Sequence, residues 1–479
     1  MPLKNETPTI NYKCQVFTPD EVVIKILDSI KYSSNLYGKT VVDHSCGDGQ
    51  FLKEVVRRYI YDCYSNLMPI EQINLGLSRD VWGAELDSEH YSSCIRTLNE
   101  LTDKLGVGQV SLNIYNFDSL QNPINQKFNY VVGNPPYLSY WDITEGDRKY
   151  IREKYPSCKK GAFDYCFAFI EEGISLLNET GVLIYIIPNS VFKTKAAKLI
   201  RDRIEPLLKS VYDYRASSVF DEVLTSSAVI ELDKQYQSDS FLYHDHAQKK
   251  TLKIMKNTLG NAWIFRVANQ DEKNTSRRFG DYFKVSSSVA TQYNKAFVIS
   301  DWTEDGIWLR NQDGEQVEKD ATWKAASPKG KIRKQNERII FPYYFKDGER
   351  KGYSEDSFSL LFPYAYKYLK LNKEKLQLRK SDVHAKWFEY GRSQALNHVQ
   401  QQKILLSTVV TNRVKVFELD NEEIPFSGIY IVPKKDLSIS HGVQVLESAD
   451  FLDYVESIGI NINGNSLRIT AENISDYRW

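Results

Sequence analysis

Short apolar runs alternate with longer amphipathic stretches through the first half of this chain. Val22, Val23, Ile26, Leu27 and Ile30 follow helical spacing, and residues 40–43 (Thr-Val-Val-Asp) read as a short buried strand. A helix over about 50–63 follows, then a strand at 81–85, a helix to about 105, and strands at 110–115 and 128–133. An aromatic-rich helix is predicted over 163–177. The run from Val182 to Ile187 is apolar on both faces, as a central strand of a parallel sheet requires. A helix over 189–207 and strands at 210–214 and 227–232 complete the series. Seven strands with intervening helices predict a doubly wound, Rossmann-like α/β domain over residues 1–270.

The rhythm stops near residue 235. Residues 235–271 are polar and irregular, with a strand-like piece at 262–267. Beyond about 276, short strands (296–299, 339–341, 404–408, 414–419, 428–432) mix with helical pieces (364–378, 449–460). This predicts a separate α+β domain over 271–479. Residues 64–79 read as an insertion between the first two strands, and 138–162 as a long charged loop of the kind that forms lids.

Composition narrows the class. With 42% hydrophobic and 26% charged residues the chain is an ordinary globular protein. It has no apolar run of membrane-spanning length, and its first residues lack the apolar core of a secretory signal, which predicts a cytoplasmic protein without a membrane partner. Six cysteines, none in a CxxC pair, read as reduced and mostly buried thiols. His244-Asp245-His246 reads as a polar turn rather than a metal-ligand pair. Net charge is zero, but residues 321–403 hold 18 Lys and Arg against 8 Asp and Glu, an excess of ten that predicts a basic face in the second domain.

Candidate chemistry lies at the strand ends. The fourth strand leaves through Gly133 into Asn134-Pro135-Pro136-Tyr137. Pro135 drives Asn134 toward extended backbone, so an amide stands on a stiff post with an aromatic ring beyond it. Open α/β sheets bind ligands at that edge. His44-Ser45-Cys46-Gly47-Asp48-Gly49 after the first strand brings backbone close to a ligand at a helix N-terminus. Gly38-Lys39-Thr40 lacks the upstream glycine of a phosphate-binding loop, which excludes NTP hydrolysis on that motif. Glu85 ends the second strand, where an acid can accept from ribose hydroxyls, and Asp118 follows the third, as an adenine-amino acceptor or a turn cap. Thr18 before Pro19 reads as a capping hydroxyl at a helix start.

The order of these pieces resembles the gamma-class, TaqI-type DNA adenine-N6 methyltransferases of restriction-modification systems, over nearly the whole chain. Phe17-Thr18-Pro19 comes first, then the glycine turn, the acid, the aspartate, Asn-Pro-Pro-Tyr, Pro188-Asn189, Val219-Phe220 and a C-terminal recognition domain. The resemblance implies that Thr18 binds the methionine carboxylate of S-adenosylmethionine and that Asp43, Ser45, Cys46 and Gly47 line its methionine part. It implies Glu85 on the ribose, Leu86, Pro136 and Phe169 around the adenine, and Asp118 on the amino group with Ser119 beside it. Asn134 and Pro135 would accept the two hydrogens of the target amino group, and Tyr137 and Phe220 would hold the flipped base. Two departures stand out: the family usually has Pro-Ala at His44-Ser45, and often an aromatic at Ser119. In the recognition domain, Phe279 to Phe297 and Trp387 to Gln394 resemble the family, the second segment reading as a DNA contact or a buried turn.

The implied partner is double-stranded DNA, with no metal, a monomeric enzyme and room for a cognate endonuclease acting separately. A protein glutamine methyltransferase uses the same Asn-Pro-Pro-Tyr chemistry but lacks a basic C-terminal domain of this size. A non-catalytic DNA-specificity protein would not need Asn134, Tyr137, Thr18 and Glu85 together. The only Pro-Asp pair, Pro19-Asp20, lacks the acid-x-Lys triplet of a common nuclease signature.

Overall fold

A computed structural model describes residues 18–213, 227–246, 249–265, 277–392, 394–434, 437–463 and 466–479. The chain divides into two compact units, Met1–Val267 with Ile460–Asn465, and Ala268–Gly459 with Ser466–Trp479.

The first unit is built on one sheet. Its strands are β1 (Val41–Asp43), β2 (Val81–Glu85), β3 (Asn113–Asn116), β4 (Phe128–Gly133), β5 (Leu177–Pro188), β6 (Leu208–Asp213), β7 (Ser227–Asp233), β8 (Ser240–Asp245) and β9 (Lys250–Met255). They lie in the order β3-β2-β1-β4-β5-β7-β6-β8-β9. Strands β1 to β5 pair in parallel, and β7 runs antiparallel between β5 and β6. The order reverses between β1 and β4, so the glycine turn after β1 and the Asn134 turn after β4 leave neighbouring strands at the switch point where such sheets bind ligands.

Strand alternation explains why this sheet is covered on both faces. Leu183, Tyr185 and Ile187 enter one apolar cluster, and Ile184 and Ile186 enter the other. Val42 and Val131 join the first, while Val41 and Val132 join the second. Each fully buried aliphatic side chain of this kind contributes about 1.5–3 kcal/mol relative to an exposed one. Around the sheet run α1 (Asp20–Ser29), α2 (Gln50–Ser65), α3 (Ile70–Asp80), α4 (Ser88–Lys104), α5 (Glu145–Lys154) and α6 (Cys166–Leu176).

Among the described residues the sheet has nine strands where seven are expected. The extra pair, β8 and β9, forms an antiparallel ladder attached to β6. In β8 the inward positions Phe241, Tyr243 and Asp245 include just two apolar residues, too short a pattern to stand out in polar surroundings. In β9, Ile254 points in while Lys250, Thr251 and Lys253 are exposed, as suits an edge strand. His244 is therefore in a strand and not a turn; its ring stacks on Tyr212 at 4.4 Å. The expected strand at 262–267 is irregular over its described residues, and Trp263 and Phe265 pack on Phe192 instead. The expected insertion after α2 holds α3, and the expected loop at 138–162 holds α5. The helix expected over 189–207 is broken into Ser190–Lys193 and Lys198–Ile204.

The second unit is α+β. Phe283–Ser287, Ile429–Pro433, Lys403–Leu406 and Val416–Leu419 form one antiparallel sheet. Val298–Ser300, Glu337–Ile340, Thr322–Ala326 and Ile424–Pro425 form a second. Helices Glu355–Leu361, Pro363–Lys370 and Lys373–Gln377 pack on a core that includes Phe358, Phe388 and Tyr390.

Part of the basic excess is internal. Arg379 donates to the carbonyls of Leu376, Trp387 and Glu389. Lys403 is fully buried and donates to the carbonyls of Asp420 and Glu423, with its pKa pushed down to about 8 by burial. Of the segment from Trp387 to Gln394, Phe388, Glu389, Tyr390 and Gly391 are buried. Tyr390 donates to the Ile340 carbonyl at 2.8 Å, and the Phe388 ring stacks on Phe358. This stretch is a structural turn, with Arg392 exposed at its end.

Candidate active site

A cleft opens at the C-terminal ends of β1, β2, β3 and β4. Thr18, Asp43, Ser45, Cys46, Gly47, Glu85, Leu86, Asp118, Ser119, Asn134, Pro135, Pro136, Tyr137 and Phe169 all line it. Phe220 lies outside the described residues, as does Phe17.

The glycine turn forms one wall. Gly47 and Gly49 have φ of 55° and 90°, left-handed conformations that favour glycine. Gly49 ends the turn at the N-terminus of α2, and its missing side chain leaves room for Cys94, whose Sγ lies 2.7 Å from where a Cβ would stand. The Gly47 N–H donates to Glu85 Oε2 at 2.8 Å, and the Asp87 N–H to Glu85 Oε1 at 2.9 Å. The acid thus ties its own turn to the glycine turn and holds both oxygens in fixed directions, each with a lone pair to spare. Asp118 Oδ1 accepts from the Leu120 and Gln121 N–H groups at 2.9 and 3.3 Å, so it caps its turn as well as lining the cleft.

Asp43 lies at the floor, buried, with Oδ1 accepting from the Ser45 N–H at 3.1 Å. Burial pushes its pKa up to about 8; the Ser45 N–H opposes this and the nearby Glu85 adds to it. Gly133 passes directly over this carboxyl. A Cβ there would stand 2.7 Å from Asp43 Oδ1, at a φ of 147°. The glycine exit from β4 is therefore required by its neighbour in β1.

The Asn134 turn forms the rim. The Tyr137 hydroxyl donates to Asn134 Oδ1 at 2.7 Å, and Asn134 Nδ2 donates to Thr18 Oγ1 at 3.3 Å. The amide is held from both ends. Thr18 does not cap α1, whose N-cap is Pro19 with no side-chain cap bond. Its hydroxyl meets Asn134 instead.

His44 also borders the cleft. Its Nδ1 lies 3.2 Å from Ser119 Oγ, its Nε2 meets the Tyr185 hydroxyl, and its ring stacks on Phe169 at 5.1 Å. Burial pushes its pKa down to about 3, so the imidazole is neutral. Sequence reasoning assigned His44 no role, nor Gln50, Phe51, His90, Phe117 or Tyr165, which also line the cleft. Most sit within a few positions of a recognised motif, a proximity that could have found them. Tyr165 could be found only through the helix that carries Phe169, against whose ring it packs edge-on at 5.3 Å.

The donor set fits S-adenosylmethionine. Glu85 suits a vicinal diol, Asp118 an amino group, Phe169, Pro136 and Leu86 a flat ring, and the Asp43 carboxyl a cation. Five described cysteines, Cys46, Cys63, Cys94, Cys158 and Cys166, are free and buried. No helix among the described residues is long and apolar enough to cross a membrane.

Residues 65–220 match the Eco57I restriction-modification methylase family, a span that includes β2, Glu85 and the Asn134 turn. The chain is 24% identical over 383 residues to the type II restriction enzyme and methyltransferase RM.Eco57I of Escherichia coli, a match covering 70% of this chain and 38% of that protein. It is 23% identical over 519 residues to the type II methyltransferase M.BstVI of Geobacillus stearothermophilus, covering 97% of this chain and 89% of the relative. Among solved structures, the fold matches that of the type IIL restriction-modification enzyme MmeI, solved in complex with DNA, with a TM-score of 0.64 at 13% identity, over 95% of this chain and 65% of that one.

Proposed function

We propose that this homologue of the restriction-modification methylases is a site-specific DNA adenine-N6 methyltransferase that takes its methyl group from S-adenosylmethionine. The single observation that carries this is the Asn134 amide. It stands at the rim of a cleft with the donor set for that cofactor, held at 2.7 Å by Tyr137 and 3.3 Å by Thr18. The relatives are a type II restriction enzyme and methyltransferase and a type II methyltransferase, which supports DNA as the substrate.

S-adenosylmethionine supplies a methyl group already activated by a positive sulfur, so the protein needs neither metal nor strong base. Its task is to make a poor nucleophile attack. The lone pair of an adenine amino nitrogen is delocalised into the ring. Asn134 Oδ1 and the Pro135 carbonyl each accept one of its hydrogens, which favours a pyramidal nitrogen with its lone pair free. That is positioning and electrostatic stabilisation, strongest at the transition state. Asn134 Oδ1 accepts from Tyr137, which fixes the direction of the amide at the rim. Tyr137 adds a ring for the extruded base to stack on, which offsets part of the few kcal/mol lost on flipping. The second unit serves as the recognition domain, its exposed lysines and arginines meeting phosphates.

Purified protein is expected to move labelled methyl from S-adenosylmethionine to adenine in duplex DNA. Asn134→Ala should abolish transfer while cofactor still binds, a loss of about 3 kcal/mol in transition-state stabilisation or more. Undiminished transfer by the variant would overturn the mechanism, and label on protein alone would overturn the substrate.

A further inference from the structure

Trp141 stands four residues beyond Tyr137 and is 77% exposed. An indole so open to water is unusual, because tryptophan is on average highly buried. Its mounting is rigid. Residues 139–142 form a turn, closed by the Asp142 N–H donating to the Ser139 carbonyl at 2.9 Å and by the Ser139 hydroxyl bonding to Asp142 Oδ2 at 2.5 Å.

The two tip residues are Tyr140 and Trp141. The Tyr140 ring packs inward, edge-on to Phe163 at 5.4 Å, with the guanidinium groups of Arg148 and Arg152 at 4.8 and 5.1 Å from its centroid. Arg152 is itself anchored to the Gly161 carbonyl at 2.8 Å. The indole then stands edge-on to Tyr140 at 5.1 Å and faces solvent. The residue just before the turn, Leu138, lines the cleft, and its carbonyl accepts the Tyr165 N–H at 3.0 Å.

We infer that Trp141 is a DNA-contacting residue that stacks on a nucleobase beside the extruded adenine. The inference rests on the proposed DNA substrate. An aromatic face is what an unstacked base needs, whatever its identity. The same segment exposes Lys149, Lys159 and Lys160, cations suited to the flanking phosphates. Of its acids, Asp142 is held in the turn and Asp147 bonds the Thr144 hydroxyl that caps α5, while Glu145 and Glu153 remain exposed. Tyr137 would hold the flipped base, and Trp141, pinned through Tyr140, would occupy the lip it passes.

Trp141→Ala and Trp141→Phe separate this role from folding, since the side chain is exposed. With saturating S-adenosylmethionine and titrated duplex, Trp141→Ala should raise KM for DNA roughly tenfold. Trp141→Phe should stay near the wild type, and cofactor affinity should not move in either. The fluorescence difference between wild type and Trp141→Phe isolates this indole from the other tryptophans, and duplex DNA should quench it. A KM for duplex within about twofold of wild type in Trp141→Ala, or an unquenched difference signal, would overturn the inference. If the wild type methylates no duplex at all, the proposed function fails first, and the quenching still decides whether Trp141 touches DNA.

Discussion

The raised pKa of Asp43 predicts that binding of the proposed cofactor releases a proton. The carboxyl is buried at the floor of the cleft, and the Ser45 N–H that donates to it at 3.1 Å does not offset the loss of water. Its pKa is pushed up to about 8 from an ordinary 3.8, with burial the largest cause. In the empty cleft Asp43 therefore carries a proton below about pH 8. The proposed ligand brings an ammonium and a sulfonium, and both favour the carboxylate. Binding should expel the proton, and apparent affinity should fall as pH drops below 8. At pH 6 about one empty site in a hundred is ionised, so affinity falls by up to about a hundredfold, or about 2.7 kcal/mol.

The same group has an opposite sign in the stability of the free protein. Its folded pKa is raised, so between about pH 4 and 8 the folded state holds a proton that the unfolded chain has lost. Stability of the empty protein should fall as pH rises across that window. Calorimetric titration of S-adenosylmethionine from pH 6 to 9, in two buffers of different ionisation heat, measures both affinity and proton release. Asp43→Asn serves as the reference, because the ligand's own amino group titrates equally in both proteins. A wild type with the same pH profile and the same proton count as Asp43→Asn would refute the reasoning.

Two further outcomes test the rim. Tyr137→Phe keeps the ring but removes the hydroxyl that holds Asn134 at 2.7 Å. It should lower kcat about fivefold to tenfold, for a hydrogen bond of about 1 kcal/mol, with cofactor affinity unchanged; Tyr137→Ala should lose more, and equal losses would exclude a role for the ring. Gly133→Ala forces a Cβ to within 2.7 Å of Asp43 at a φ of 147°, and should destabilise the fold by roughly 1–3 kcal/mol in urea unfolding. An unchanged midpoint would show that the Asp43 floor yields more easily than its burial implies.

Where the cleft is written in a few contiguous residues, the sequence was readable. The glycine turn, Glu85, Asp118 and Asn134 each follow a short apolar run, and a parallel sheet brings such strand ends together whatever lies between them. What escaped was set by long-range partners. The Thr18 hydroxyl looked like a cap because Pro19 follows it, but it bonds an amide 116 positions away. Helix α5 was hidden by its composition, with Ile151 its one buried residue and Gly146 in its first turn. Arg379 and Lys403 counted as surface charge in the sequence, and only the folded chain shows them donating to backbone carbonyls.

His44 and Ser119 carry this argument furthest. Each departs from the pattern usual in the family that the chain resembles, and each looked like an isolated irregularity. They are partners. The Ser119 hydroxyl donates to the His44 carbonyl at 2.6 Å, which leaves its oxygen to accept from His44 Nδ1 at 3.2 Å. The proton on Nδ1 makes Nε2 an acceptor, and the Tyr185 hydroxyl supplies the donor. That tautomer agrees with an imidazole kept neutral by burial. Every polar atom in the chain of bonds has a counterpart, so the buried ring costs little, and its face against Phe169 extends the aromatic wall of the cleft. Either substitution alone would strand a buried donor or acceptor, at about 1–3 kcal/mol. Together they replace one way of closing the cleft by another, so two departures 75 positions apart leave the proposed cofactor site intact.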